Sequence, residues 1–325
     1  MKLKIADGIH WLGFIDWDRR LFDSLIPLPE GTSYNCYLIE AGDKRVLVDS
    51  ADPSMREEFL RVLDECGPID FVISHHAEQD HSGLVGEVLE RNPSATVLCS
   101  EKAAPMLVDL LHIDRERIRT VADGEKLSIG TKTLEFVYTP WVHWPETMCT
   151  YVAEDKVLFS CDLFGSHLAT SRMLCAEPEK LERGAKRYFA EIMMPFSGII
   201  QKNLQKLERL EISTIAPSHG PVHVEPQFIL ERYRQWCSGD GRNLVVVPYV
   251  SMHDSTKLLV DHLCSALMER GVDVERYELT GSDAGELAMS LVDATTLVLG
   301  TPTVLAGPHP LALYAAFLAN QLRPR

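Results

Sequence analysis

The stretch HHAEQDHSG, residues 75–83, places four side chains able to bind a metal, His76, Glu78, Asp80 and His81, within six positions. The apolar run Phe71-Val72-Ile73-Ser74 before it predicts a strand, and GLVGEVLE after it predicts a helix. If the strand's period of two persists past its end, positions 76, 78 and 80 point one way, and His81 points elsewhere, toward a second metal. A polar turn that merely capped the next helix from Asp80 or Ser82 would need one acid or hydroxyl, not two histidines with two acids. His75 is expected to be a core histidine, or one that orients a ligand, rather than a ligand itself. Imidazole mixed with carboxylate suits borderline to hard divalent ions, and the second carboxylate moves the set from zinc's histidine-rich shell toward iron or manganese.

Working outward, three further candidates stand at predicted strand ends, where chemistry collects in sheet-based folds. His143 follows FVYTP in WVHWPETM, Asp162 follows VLFSC in SCDLFG, and His219 follows TIAP in PSHGP. Together with the first four they supply seven ligands, the number for two metals with three private ligands each and one shared carboxylate. Asp162 is the natural bridge, because a carboxylate has two oxygens whereas a neutral imidazole has one free lone pair. The expected assignment is His76, Glu78 and His143 on one ion, and Asp80, His81 and His219 on the other, with Asp162 between them.

The chain has 325 residues, which suggests two domains, and its apolar and charged fractions are those of an ordinary globular protein. A formal charge of −15 argues against nucleic acid or an anionic membrane as partner. Eight cysteines are scattered with no CxxC pair, which predicts reduced thiols in a cytoplasm rather than a disulfide framework or a metal knuckle. No apolar stretch reaches signal-peptide or membrane-span length. Strands early and late with helices between predict two sheets packed face to face and covered by helices over residues 1–237. The segment 177–211 reads as helical throughout. After a Gly/Ser/Asp linker at 238–242, strands NLVVVPYV, VDVERYEL and TTLVLG alternate with helices, which implies a doubly wound parallel sheet over 243–325.

At this point the HxExDH arrangement from His76 to His81, with HWPETM, SCDLFG, APSHGP and the C-terminal alternation, resembles the flavodiiron proteins, also called A-type flavoproteins. WDRRLF, GTSYN and RYFAEIMMPF extend the likeness over nearly the entire chain. The resemblance implies an α/β architecture: an αββα metallo-β-lactamase-like sandwich followed by a flavodoxin-like domain. It implies that the same seven residues bind a non-haem diiron centre; zinc hydrolases of this fold usually carry a histidine where Glu78 stands. It places FMN on the loop carrying Ser251, Met252, His253, Ser255 and Thr256, and on a second loop carrying Pro302, Thr303, Val304 and Gly307. Tyr188 is implied as a pocket residue. Asp23 stands where many relatives have a histidine beside the metal pocket, so the gas preference of those relatives does not transfer.

Only three of the five strands of a flavodoxin-like sheet can be found between Asn243 and Arg325. The expectation is therefore a C-terminally incomplete second domain, a chain that is a fragment of a longer protein, and weak or absent FMN binding. The activity implied is reduction of dioxygen to water, nitric oxide to nitrous oxide, or both, with electrons from rubredoxin or a reduced deazaflavin. A head-to-tail homodimer, or a dimer of such dimers, would bring the flavin of one copy to the iron of the other. The competing readings are a dinuclear zinc hydrolase of the same fold and a non-catalytic diiron gas sensor.

Overall fold

The computed structural model describes residues 2–174 and 176–324; Cys175 lies outside the described residues. The chain divides into two compact units, one of Met1–Arg20, Leu28–Ala185 and Lys202–Glu231, the other of Leu21–Pro27, Lys186–Gln201 and Arg232–Arg325.

The first unit is built on two sheets. One has seven strands in chain order: β1 (Leu3–Ala6), β2 (Ile9–Trp11), β3 (Tyr37–Ala41), β4 (Lys44–Val48), β5 (Phe71–Ser74), β6 (Thr96–Ser100) and β7 (Ile118–Val121). Its first four strands pair antiparallel, and β4 to β7 run parallel. The other sheet has β8 (Lys126–Ile129), β9 (Lys132–Tyr138), β10 (Met148–Val152), β11 (Val157–Cys161) and β12 (Thr214–Pro217), with only β11 and β12 parallel.

Alternation along each strand feeds two cores. Ile39, Val46, Val48, Ile73 and Leu98 meet Phe136, Met148 and Phe159 of the other sheet. Their neighbours Leu38, Leu47, Val72, Val97 and Cys99 join Phe59, Leu63, Val85, Val88 and Leu107. Those residues lie on α1 (Arg56–Asp64), α3 (Val85–Arg91) and α4 (Ala103–Leu111), where α2 is the short turn Gln79–Ser82. The strand interiors Val72-Ile73 and Val97-Leu98-Cys99 are apolar at consecutive positions because both faces of these strands are covered. The β8–β9 hairpin turns at Gly130, whose φ of +62° and whose approach to the Ala41 carbonyl leave no space for a Cβ, which would stand 2.1 Å from that oxygen.

The helical segment predicted for 177–211 is interrupted. It runs as α5 (Pro178–Tyr188), one widened turn at Phe189–Met193, a tight turn at Met194–Phe196, and α6 (Ser197–Leu207). Pro195 has no N–H to give to the carbonyl four residues back, so the α-helical register cannot run through it. Helix α7 (Pro226–Ser238) reaches one residue into the predicted linker, and the next strand begins at its last residue, Arg242.

In the second unit, β13 (Arg242–Tyr249), β14 (Asp273–Glu278) and β15 (Ala294–Leu297) form a parallel sheet in the order β14-β13-β15. Helices α8 (Ser255–Met268), α9 (Ala284–Asp293) and α10 (Pro310–Leu322) alternate with them. The first strand is central and the later two flank it, as in the start of a doubly wound sheet. The compact units are drawn elsewhere than the predicted 1–237 and 243–325 division. Lys186 pairs with Asp293, Arg187 with Asp283 and Glu286, and Gln201 with the Cys237 carbonyl, which ties 186–201 to the C-terminal unit. Among the described residues, no helix is long and apolar enough to cross a membrane, the cysteines are buried, and no disulfide joins them.

Candidate metal centre

Strand β5 ends at Ser74, and the chain then departs from the period of two. His76 and Glu78 sit on the connecting segment, whereas Asp80 and His81 fall on the turn α2. The expectation that 76, 78 and 80 share one face is therefore corrected: the helical turn swings Asp80 to the side of His81. Hydroxyl groups fix this geometry. Ser82 Oγ donates to the carbonyls of Ala77 and Glu78, and Ser50 Oγ donates to that of His81.

Seven side chains from five segments converge here. Glu78 Oε2 lies 3.0 Å from His76 Nε2 and 3.2 Å from His143 Nε2. Asp80 faces His81 Nε2 at 3.5 Å through Oδ1 and His219 Nε2 at 3.2 Å through Oδ2. Asp162 stands between the two groups. Its Oδ2 is 3.7 Å from both His76 and His143 Nε2, while its Oδ1 is 3.2 Å from His81 and 3.4 Å from His219 Nε2. Three overlapping sets have metal-binding spacing: His76, Glu78 and His143; His76, His81 and Asp162; Asp80, His81 and His219.

The outward nitrogens of three of these histidines meet partners as well. His76 Nδ1 is 2.6 Å from Glu146 Oε1, His219 Nδ1 is 2.8 Å from the Ser33 carbonyl, and His81 Nδ1 lies 3.9 Å from Cys161 Sγ. An Nδ1–H held by an acceptor leaves the Nε2 lone pair for a metal. Trp144 packs edge-on against the His76 ring at 4.9 Å and adds apolar cover.

Electrostatics set these groups against their surroundings. Burial pushes His81 down, but the charges of Asp162 and Asp80 outweigh it and hold the ring up at about 10. Burial likewise lowers His219, and the neighbouring carboxylates of Asp162 and Asp80 raise it to about 10. For Asp162 burial works upward and is overcome by His81 and His219, so its carboxyl stays well below the usual range. The carboxylates thus call for positive charge where the rings converge. Neither buried oxygen of Asp80 accepts a well-formed hydrogen bond among the described residues. Four imidazoles, three carboxylates and that shortfall fit a pair of cations of the iron class.

Residues 32–220 match the family described as ODP family beta lactamase. A nitric oxide reductase of Moorella thermoacetica is 35% identical over 313 residues, covering 92% of this chain and 77% of that protein. The rubredoxin oxygen:oxidoreductase of the anaerobe Desulfovibrio gigas superposes with a TM-score of 0.96 at 28% identity, covering 100% of this chain and 83% of the other. The flavodiiron protein of Giardia intestinalis gives 0.93 at 29% identity over 99% and 80%. The chain belongs to the flavodiiron protein family. It is an oxidoreductase, and its sandwich is of the metallo-β-lactamase type.

In this flavodiiron protein the two predicted flavin loops leave the carboxyl ends of neighbouring parallel strands, with Val250 N donating to the Gly300 carbonyl at 2.9 Å. That edge is where doubly wound sheets take ligands. In the first loop, Met252, His253 and Ser255 are exposed, Ser251 and Thr256 are half-buried, and Ser251 Oγ accepts from Lys257 N at 3.2 Å. Ser251 thus caps α8, and Asp254 adopts a left-handed φ of 60° just before it. In the second loop Pro302 leads into a small hairpin, Thr303–Val304 against Gly307–Pro308, whose tip residue Leu305 is fully exposed. Tyr188 is buried at the end of α5 and belongs to the second unit, not to the unit that carries the seven converging side chains.

Two residues were not singled out from the sequence. Glu146, inside HWPETM, buttresses His76; its signal was an acid three positions beyond a candidate ligand. Ser33, in GTSYN, offers only its backbone carbonyl, which no side-chain pattern reveals. His75 does not orient a ligand: Nδ1 meets Asp49 at 2.8 Å and Nε2 meets the Thr150 hydroxyl at 2.8 Å, a core link between the sheets.

Proposed function

We propose that this protein reduces dioxygen to water, nitric oxide to nitrous oxide, or both, at two iron ions held by His76, Glu78, His143, Asp80, His81, His219 and a bridging Asp162. The observation that carries this reading is that the two oxygens of Asp162 face separate sets of imidazoles, which suits one carboxylate shared by two ions. The relatives are named for reduction of nitric oxide and for oxidoreduction of oxygen with rubredoxin, which supports the same reading.

When bound, iron and FMN would supply the electrons, four for each dioxygen and two for each pair of nitric oxide molecules. The chain's own residues do the rest. Glu146 and the Ser33 carbonyl hold His76 and His219 in register, which would leave each Nε2 free for the metal. Glu78, Asp80 and Asp162 bring three negative charges into a buried site, which favours the more oxidised metal. Ser251, Met252, His253, Ser255 and Thr256, with Pro302, Thr303, Val304 and Gly307, would hold FMN at the carboxyl edge of the second sheet. Rubredoxin or a reduced deazaflavin would deliver the electrons to a head-to-tail homodimer, or a dimer of dimers, in the cytoplasm.

The test is metal and flavin per chain on protein purified without oxygen, followed by dioxygen and nitric oxide consumption with a reduced donor. Two irons with consumption of either gas is the expected result. Two zincs without gas consumption would overturn it in favour of hydrolysis; two irons without turnover would favour a gas sensor.

A further inference from the structure

A cavity of about 570 Å³ opens in the first unit, lined among others by Trp17, Arg20, Glu30, Arg172, Glu177 and Lys180. None of the seven converging metal-site residues and none of the flavin-loop residues reaches it. Its volume is that of a small-molecule site, within the usual range of about 300–1,000 Å³. Its walls are unusual for a chain of net charge −15, because three cations stand there against two acids.

The cations are arranged rather than scattered. Arg20 Nη1 donates to the carbonyls of Trp17 at 2.8 Å and Arg19 at 3.1 Å, which fixes its guanidinium beside the Trp17 backbone. Glu177 lies 3.1 Å from Lys180 Nζ and 3.7 Å from Arg172 Nη1, so one carboxylate gathers two cations on the opposite stretch. Thr170 Oγ1 accepts from Arg172 N at 3.1 Å and fixes the backbone of that stretch. Trp17 is 52% exposed, a large indole surface left open at a cavity rim. An aromatic face next to guanidinium groups matches a ligand that is flat at one end and anionic at the other.

We propose that this cavity binds a planar aromatic anion, its ring against Trp17 and its phosphate or carboxylate among Arg20, Arg172 and Lys180. The ring supplies the stacking surface, and the two arginines supply planar donors for paired oxygens. The site is separate from metal binding and does not depend on the redox reading.

The experiment is calorimetric titration of the full chain with adenosine monophosphate and, separately, with indole-3-acetate, which distinguish the phosphate from the carboxylate. Adenosine and inorganic phosphate are the controls. Saturable one-to-one binding of either anion is expected, at least tenfold tighter than either control. It should weaken tenfold or more in Trp17→Ala and in Arg172→Gln, and persist in the flavin-loop variant Thr256→Ala. Trp17 and Arg172 are exposed and Thr256 is half-buried, and a thermal melt matching the parent establishes that the variants fold. Absence of saturable binding for both anions overturns the proposal. So does equal binding of phosphate alone, or binding abolished by Thr256→Ala and untouched by Trp17→Ala.

Discussion

Glu146 Oε1 lies 2.6 Å from His76 Nδ1, with both side chains closed off from solvent, and the same oxygen accepts from Ala77 N at 3.1 Å. One carboxylate therefore fixes both the ring and the backbone that follows it. Glu146→Ala is expected to weaken metal binding at the His76 side by roughly 10–100-fold, the usual effect of removing a partner behind a ligating histidine. Metal content after dialysis against a graded chelator measures this. An unchanged chelator midpoint in a folded variant would show that Glu146 plays no part in orienting His76.

Asp162 reaches both halves of the centre, so its loss differs in kind from loss of a private ligand. Asp162→Ala is expected to release at least one metal per chain and weaken the other. His143→Ala is expected to deplete only the half that holds Glu78, leaving the Asp80, His81 and His219 set occupied. Elemental analysis of the two variants beside the parent distinguishes them. Full metal content in Asp162→Ala would remove the bridge, and equal depletion in both variants would remove the division into two halves.

The site was legible where residue type and strand position both carried information. His76, Glu78, Asp80 and His81 are dense in sequence, and His143, Asp162 and His219 each follow an apolar run that became a strand end. The local conformation was not legible, because period-two alternation fails once the chain leaves β5 and closes the turn at Gln79–Ser82. Supporting contacts were hidden for a different reason: Ser33 acts through its carbonyl, and Glu146 is paired with His76 across 70 positions. The two face-to-face sheets followed from paired apolar runs, whereas the break at Phe189–Phe196 depends on how one proline is absorbed within a helical pattern.

His223 offers a pH test away from the ligands. Burial lowers the imidazole to about 4, only partly offset by its hydrogen bond to the Phe164 carbonyl, against 6.5 when exposed. A depressed histidine means the unfolded chain takes up the proton first. Its contribution is therefore present above about 6.5 and is lost as pH falls toward 4, on the order of 3 kcal/mol in all. The stability difference between parent and His223→Gln, from urea unfolding at several pH values, should shrink across that window. A difference independent of pH would contradict the assignment of a neutral buried ring.

Glu191 predicts the opposite slope. Its side chain is 7% exposed beside Arg187, whose guanidinium also binds Asp283 and Glu286. Burial drives the Glu191 carboxyl up to about 8; Arg187 opposes this, and Asp283 and Glu286 push it further up. The folded chain thus holds a proton that the unfolded chain releases near 4.5. Stability from this group is fully present below about 4.5 and is lost as pH rises through about 8. Glu191→Gln keeps the shape without the charge, so parent stability should fall relative to the variant between those limits. Parallel pH profiles for the two proteins would refute the raised carboxyl. The packing gives an independent check, since a Cβ on Gly285 would stand 2.1 Å from Glu191 Oε1 and 2.2 Å from Arg187 Nη2. Gly285→Ala must displace that pair, at a cost of about 1–3 kcal/mol typical of overpacking. Because it moves the guanidinium from Glu191, the same variant should also steepen the alkaline loss of stability, whereas a plain steric cost would be the same at every pH.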